Sequence, residues 1–162
     1  TVLWQHTTPL VSLAYAPTRH WLAFGASDGG LFIMNVDNPS STRKFNKHHK
    51  GKVSELAFSP NEDYLASASF DGTIMSWKLE KGENNIQKLT NKVPAVILGE
   101  GKIFSLGFDS KGQYLIFSDE KALRARVLDT GVLYNMLQKI TEGKSLTPEQ
   151  EEIYVGIADK QD

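Results

Sequence analysis

Residues 49–79 read HKGKVSELAFSPNEDYLASASFDGTIMSWKL. Three β-type runs are separated by two turn signals. Val53, Leu56 and Phe58 lie on a run that ends at Ser59-Pro60, and Asn61-Glu62-Asp63 is turn chemistry. Tyr64 to Ser69 make the next run, Asp71-Gly72 a tight hairpin turn, and Ile74 to Leu79 the third run. Working outward, the same rhythm occurs 43 residues earlier in LVSLAYAPTRHWLAFGASDGGLFIMNV, from Leu10. His6 and His49, Pro17 and Pro60, Leu22 and Leu65, Asp28 and Asp71, Gly29 and Gly72, and Met34 and Trp77 keep that offset without a gap. A third copy, KIFSLGFDSKGQYLIFSDEKALRARVL, follows at an offset of 50, with Ile103 on Val53, Phe108 on Phe58 and Leu115 on Leu65. The seven extra residues fall in EKGENNIQKLTNKVPAVILGEG, and the turn near Asp119 is about one residue shorter than its counterparts. A fourth strand per unit fits in the connecting segments, Val2 to Gln5, Thr42 to Asn46 and Ala95 to Leu98. Four strands every 40–45 residues or so is the period of a propeller blade.

The second copy resembles a WD40 repeat along its length. The resemblance implies an all-β fold of three four-stranded propeller blades followed by a helical tail. It also puts the family's structural hydrogen-bonding tetrad on His49, Ser67, Asp71 and Trp77. The first copy keeps a partial tetrad, His6 and Asp28, with Phe24 and Met34 at the other two places. The third keeps none, with Gly99, Phe117, Lys121 and Arg126 or Val127 at those positions. The first and third copies are therefore expected to depend more on packing between blades. The implied organisation is three blades over 1–128, at about 1–47, 48–94 and 95–128, and a tail over 129–162 packed on the propeller.

In the tail, Val132, Leu133, Met136, Leu137 and Ile140 form the stripe of an amphipathic helix, which Gly143 stops. Thr147 then suits an N-cap, Pro148 the first helical position and Gln150 a capping box. Glu149, Glu151 and Glu152 suit the positive helix start, and Ile153, Tyr154 and Val155 offer an apolar edge. The expected role is to cover an exposed blade end. A partner-docking helix pair is the sharper alternative. With PAVIL before the third copy, this tail resembles the C-terminus of bacterial multi-repeat WD40 proteins. Propellers there often follow an effector domain, which these residues do not contain.

Closed propellers use roughly four to eight blades, so three copies are expected to belong to a larger ring of about seven or eight. The sequence opens on an outer strand and reaches a helix where the third blade's outer strand would stand. This order reads as the closing end of a propeller. The missing blades would come from an absent segment, a second chain or a symmetry mate. A self-paired six-blade ring is the lesser alternative.

Eighteen basic and 19 acidic side chains leave a net charge of −1, so nothing chain-wide favours nucleic acid or an anionic membrane. No apolar run is long enough to span a bilayer, and the first ten residues show no signal-peptide pattern. The absence of cysteine removes disulfides, thiolate zinc sites and cysteine nucleophiles. It leaves the compartment open, with the cytoplasm favoured.

His48 and His49 are adjacent, so their side chains diverge, and no partner stands at metal-ligand spacing. No G-x-S-x-G context or Ser/His/Asp set is present. Ala26 to Gly30 is glycine-rich but joins two strands, whereas a phosphate cradle opens a helix. No cofactor, metal or catalytic residue is expected. Two surface features remain. The stretch from Arg43 to Lys52 carries Arg43, Lys44, Lys47, Lys50 and Lys52 without one acid. It is read first as a solvated edge and second as a site for an anionic partner. Arg19 and Trp21 stand in a turn as candidate binding anchors, although Trp21 can equally be packed. The expected function is a non-catalytic protein–protein interaction scaffold. A binder of nucleic acid or another anion through 43–52 is one alternative. Part of a propeller enzyme or effector protein whose active domain lies elsewhere is another.

Overall fold

A computed structural model describes residues 2–80, 85–90 and 94–128. They form three antiparallel sheets in meander order. The first blade comprises β1 (Leu10–Ala16), β2 (Trp21–Ala26), β3 (Leu31–Asn35) and β4 (Asn38–Lys44). The second comprises β5 (Val53–Phe58), β6 (Tyr64–Ser69), β7 (Thr73–Lys78) and β8 (Ala95–Leu98), with a short helix α1 (Ile86–Thr90) before β8. The third comprises β9 (Ser105–Phe108), β10 (Tyr114–Ser118) and β11 (Leu123–Val127). The repeat thus sets the architecture, since most runs pair with the next through a short turn, and the long connection from β7 to β8 still returns to the neighbouring strand.

Several expectations change in detail. The third sheet has three strands among the described residues rather than four. Ala95–Leu98 pairs with β7, so it closes the second blade and does not open the third. Val2 to Gln5 is not a strand, because an outer strand needs a neighbouring strand to bond and none stands beside it among the described residues. Trp4 nevertheless packs on Phe24 and Phe32, with ring centroids 5.0 and 4.8 Å away. The fourth strand of the first blade starts earlier than Thr42 and stops at Lys44. Phe45 leaves the sheet and buries itself 4.7 Å from Trp77. The tail at 129–162, where two helices are expected, lies outside the described residues.

The middle strands are apolar on both faces, and alternation sends each face to a different neighbour. Trp21, Ala23, Leu31 and Ile33 meet Val53, Leu56, Leu65 and Trp77 between the first and second blades. Ala66, Ala68 and Ile74 meet Ile103, Leu115 and Phe117 between the second and third. The α1 side chains Ile86 and Leu89 extend the first of these cores, so the insertion between copies covers apolar surface. Asn85 caps α1, its Oδ1 accepting the Lys88 N–H at 3.0 Å.

Polar contacts lock the blades together in register. Ser12 Oγ donates to the Val53 carbonyl at 3.0 Å, and Ser54 Oγ to the Ile103 carbonyl at 2.6 Å. Val53 and Ile103 are equivalent residues of successive blades. The buried Glu62 carboxylate accepts the N–H groups of Thr18 (2.9 Å) and Arg19 (3.1 Å) from the preceding blade. At Gly25 the seam is close: a Cβ would stand 2.5 Å from both Ser12 Oγ and Val53 Cγ1. Gly25→Val is therefore expected to lower stability by about 1–3 kcal/mol in urea unfolding. Gly107→Ala, where a Cβ meets nothing within 4 Å, should cost far less. Equal losses would contradict a close seam at Gly25.

Candidate interaction site

Three of the four tetrad residues are joined. His49 Nε2 lies 2.8 Å from Ser67 Oγ, and His49 Nδ1 lies 2.8 Å from Thr73 Oγ1. Thr73 Oγ1 donates to Asp71 Oδ1 at 2.6 Å, and Asp71 Oδ2 stands 3.5 Å from His49 Nδ1. Proton accounting fixes the roles. A carboxylate only accepts, so the Thr73 hydroxyl spends its proton on Asp71 and must accept from Nδ1–H. A neutral imidazole then accepts at Nε2 from Ser67. Asp71 also takes the Lys50 and Thr73 N–H groups, which ties the turn to the incoming strand. Thr73 is a member that the sequence reading missed. Trp77 departs from the expected role. It is buried, but its Nε1 has no hydrogen-bond partner among the described residues, so it contributes by packing. In the first blade His6 Nε2 lies 3.4 Å from Asp28 Oδ2, a charge contact too long for a well-formed hydrogen bond.

The third blade corrects the reading that it keeps no tetrad residue. Lys121 occupies the offset position, but Asp119 does the work of Asp71. The Glu100 N–H donates to Asp119 Oδ2 at 3.1 Å, as the Lys50 N–H does to Asp71. Asp119 Oδ1 accepts the Lys121 and Ala122 N–H groups. Arg124 Nε, 2.7 Å from Oδ2, holds the Asp119 carboxyl far below the usual carboxylate range. Asp119 stands two positions before Lys121, and a fixed offset therefore missed it.

Charge at the second-blade network is controlled by burial. Burial pushes the His49 imidazole below the ordinary histidine value, and Asp71 only partly offsets this. Burial also opposes ionisation of Asp71, but hydrogen bonds from Thr73 and Lys50 outweigh it and hold its carboxyl below the usual range. Because the folded pKa of His49 is depressed, the unfolded chain binds more protons once pH falls below about 6.5. The stabilisation is thus full above that pH and is lost as pH falls through the folded value. The thermal midpoint should drop between pH 7.5 and 5 in the native protein, and by less in His49→Gln. Equal drops would remove His49 as the cause.

The end of the blades that carries these turns also carries most of the basic stretch. Lys47, Lys50 and Lys52 are exposed and face no carboxylate among the described residues. Lys52 Nζ lies 5.1 Å from the Phe70 ring centroid. Lys44 lies over Phe32, and Arg43 Nε donates to Gln87 Oε1 of α1 at 3.2 Å, so these two are partly engaged in the fold. The other candidate pair is placed differently. Trp21 is only 2% exposed, packed between the first and second blades with Arg19 stacked 5.1 Å above it. Arg19 also donates to the Glu80 carbonyl at 2.6 Å. Trp21 is therefore unavailable as a surface anchor, because the face of β2 that carries it is covered by the second blade. Among the described residues no cluster of three or more His, Asp or Glu side chains could hold a metal ion. No helix among them is long and apolar enough to cross a membrane.

A family model described as a Vps42 beta-propeller, that of the Vps41 propellers, matches residues 10–119, from β1 to just past β10. The chain belongs to this β-propeller family. It is 31% identical over 80 residues to the target of rapamycin complex subunit wat1 of Schizosaccharomyces pombe, covering 49% of this chain and 24% of that one. It is 28% identical over 107 residues to the ribosome biogenesis protein YTM1 of Scheffersomyces stipitis, covering 63% and 23%. A WD40 repeat-containing protein of Dictyostelium discoideum is 30% identical over 81 residues, covering 49% and 12%. The chain thus spans a quarter or less of the length of these relatives. All three come from eukaryotes, so the expected resemblance to bacterial multi-repeat proteins finds no support in them.

Proposed function

We propose that this propeller segment is a non-catalytic protein-interaction scaffold that offers its partner the blade end bearing Lys47, Lys50 and Lys52. The observation that carries this reading is the division of labour among polar side chains. His49, Ser67, Asp71, Thr73 and Asp119 are committed to hydrogen bonds within blades, while those three lysines lie exposed without a carboxylate partner. Two relatives carry names of the same kind, a subunit of the target of rapamycin complex and a ribosome biogenesis protein. Affinity capture of the full-length protein, with cross-linking and mass spectrometry, tests the reading. Cross-links to a partner should fall in residues 45–52, 69–72 and 99–104. Cross-links confined to outer strands β4 and β8 would contradict it.

The same reading includes further blades. Leu22, Phe24, Phe32 and Met34 turn away from the second blade, and with Trp4 they form a separate apolar cluster. By the repeat they correspond to Leu65, Ser67, Met75 and Trp77, the face that the first blade covers in the second. A groove of about 500 Å³ runs along this face, lined in part by Leu13, which is 62% exposed. The occupant it fits is another propeller blade presenting small and β-branched side chains, as the first blade presents Ala23 and Ile33.

A second reading, an anionic partner other than protein, rests on the unneutralised lysines alone. Loss of binding to heparin or DNA at modest salt would be its signature.

A further inference from the structure

At the same blade end, two lysines converge on one aromatic ring. Lys52 Nζ lies 5.1 Å and Lys102 Nζ 6.0 Å from the Phe70 centroid, and Phe104 meets Phe70 edge-on at 5.6 Å. Three segments are brought together: the link before β5, the turn between β6 and β7, and the link before β9. The Phe70 N–H donates to the Lys52 carbonyl at 3.0 Å and the Ile103 N–H to the Ser69 carbonyl at 3.1 Å, so the backbone fixes the arrangement.

The fold does not demand these side chains. In the first blade Ser27 holds the place of Phe70 and Pro9 that of Lys52, and the same turn forms. Ser54 holds the place of Phe104 in the second. Phe104 is 48% exposed, although a large apolar side chain gains nothing from water there. We propose that Lys52, Phe70, Lys102 and Phe104 form a docking site for an acidic segment of a partner protein that carries an apolar side chain. This rests on the scaffold reading above and names the chemistry of the partner.

Charge complementarity selects that occupant. The lysines attract carboxylates, and the paired rings offer an apolar seat beside them. A nucleic acid fits less well. Glu120 lies 3.8 Å from Lys102, and Glu100 pairs with Lys121 and Arg124, so carboxylates bound the basic patch on the side of the third blade. A continuous phosphate track would run into them, whereas a short acidic segment would not.

The test uses the full-length protein and three fluorescent probes at low salt. These are an oligoglutamate peptide interrupted by phenylalanines, the same peptide with alanine in place of phenylalanine, and a single-stranded oligothymidylate of equal charge. The phenylalanine peptide should bind tightest. Phe70→Ser and Lys52→Glu should each weaken it by about tenfold or more, with the melting temperature unchanged. The proposal is overturned if no peptide binds, if Phe70→Ser leaves binding intact, or if the oligothymidylate binds as tightly as the peptide. If the full-length protein still cross-links to its partner with both substitutions in place, this site is wrong and the scaffold reading stands. If it cross-links to no partner at all, the scaffold reading itself fails.

Discussion

Trp77→Ala is expected to lower stability by about 3–5 kcal/mol, the largest single loss among the residues of the second blade. Trp77 is 1% exposed and fills the space between Phe45 and Leu65 at the first seam. Truncation opens a cavity that two rigid sheets cannot collapse into. Trp77→Phe separates packing from hydrogen bonding. The indole Nε1 has no partner among the described residues, so phenylalanine loses volume only. Its cost should stay under about 2 kcal/mol. Urea unfolding of both variants decides the point. If Trp77→Phe were as damaging as Trp77→Ala, the indole N–H would have to be bonded, and the packing role assigned to it would be wrong.

Asp119→Ala should cost about 1–3 kcal/mol and act on the third blade. The side chain is buried, and its loss strands the Glu100, Lys121 and Ala122 N–H groups along with Arg124 Nε. Lys121→Ala is the informative control. Lys121 holds the place that a constant offset assigns to the tetrad aspartate, but its side chain makes only an exposed ion pair with Glu100. Such pairs are worth little, so the change should stay within about 0.5 kcal/mol. The Asp119 contribution has its own pH signature. Its carboxyl is depressed, so the stabilisation is full above about pH 4 and fades as pH falls below that. This window lies well below the one assigned to His49. A large loss from Lys121→Ala and none from Asp119→Ala would reverse the assignment.

The blade architecture was legible because a repeat supplies its own internal check. Pro17 and Pro60, or Gly29 and Gly72, mark the same turns at one spacing, and no single-element propensity is needed. Where the spacing changed, legibility failed. In the third blade the aspartate was sought at Lys121, while Asp119, two positions earlier, carried the bonds. The insertion before β8 hid the short helix, whose apolar Ile86 and Leu89 looked like loop. Trp21 was ambiguous as a lone tryptophan in a turn, yet Trp21, Leu22, Ala23 and Phe24 are apolar in succession, and a strand apolar on both faces is covered on both. Thr73 was missed because the resemblance named four positions and the hydroxyl beside Asp71-Gly72 was not among them. The Phe70 and Lys102 cluster was invisible because three segments far apart in sequence build it. Only Lys52 was noted beforehand, as one member of a charge run.

The central claim is that these blades sit within a larger propeller, with the outer face of the first blade covered by another. These 162 residues contain no cysteine, so peptides mapped from them carry only the introduced thiol. In the full-length protein, Leu13→Cys and Ser40→Cys would be labelled with maleimide under native conditions and read by peptide mapping. Both positions are exposed among the described residues, but only Leu13 lines the groove. The account predicts rapid labelling at position 40 and strong protection at position 13 that is lost on denaturation. Equal labelling of the two in the native protein would contradict it.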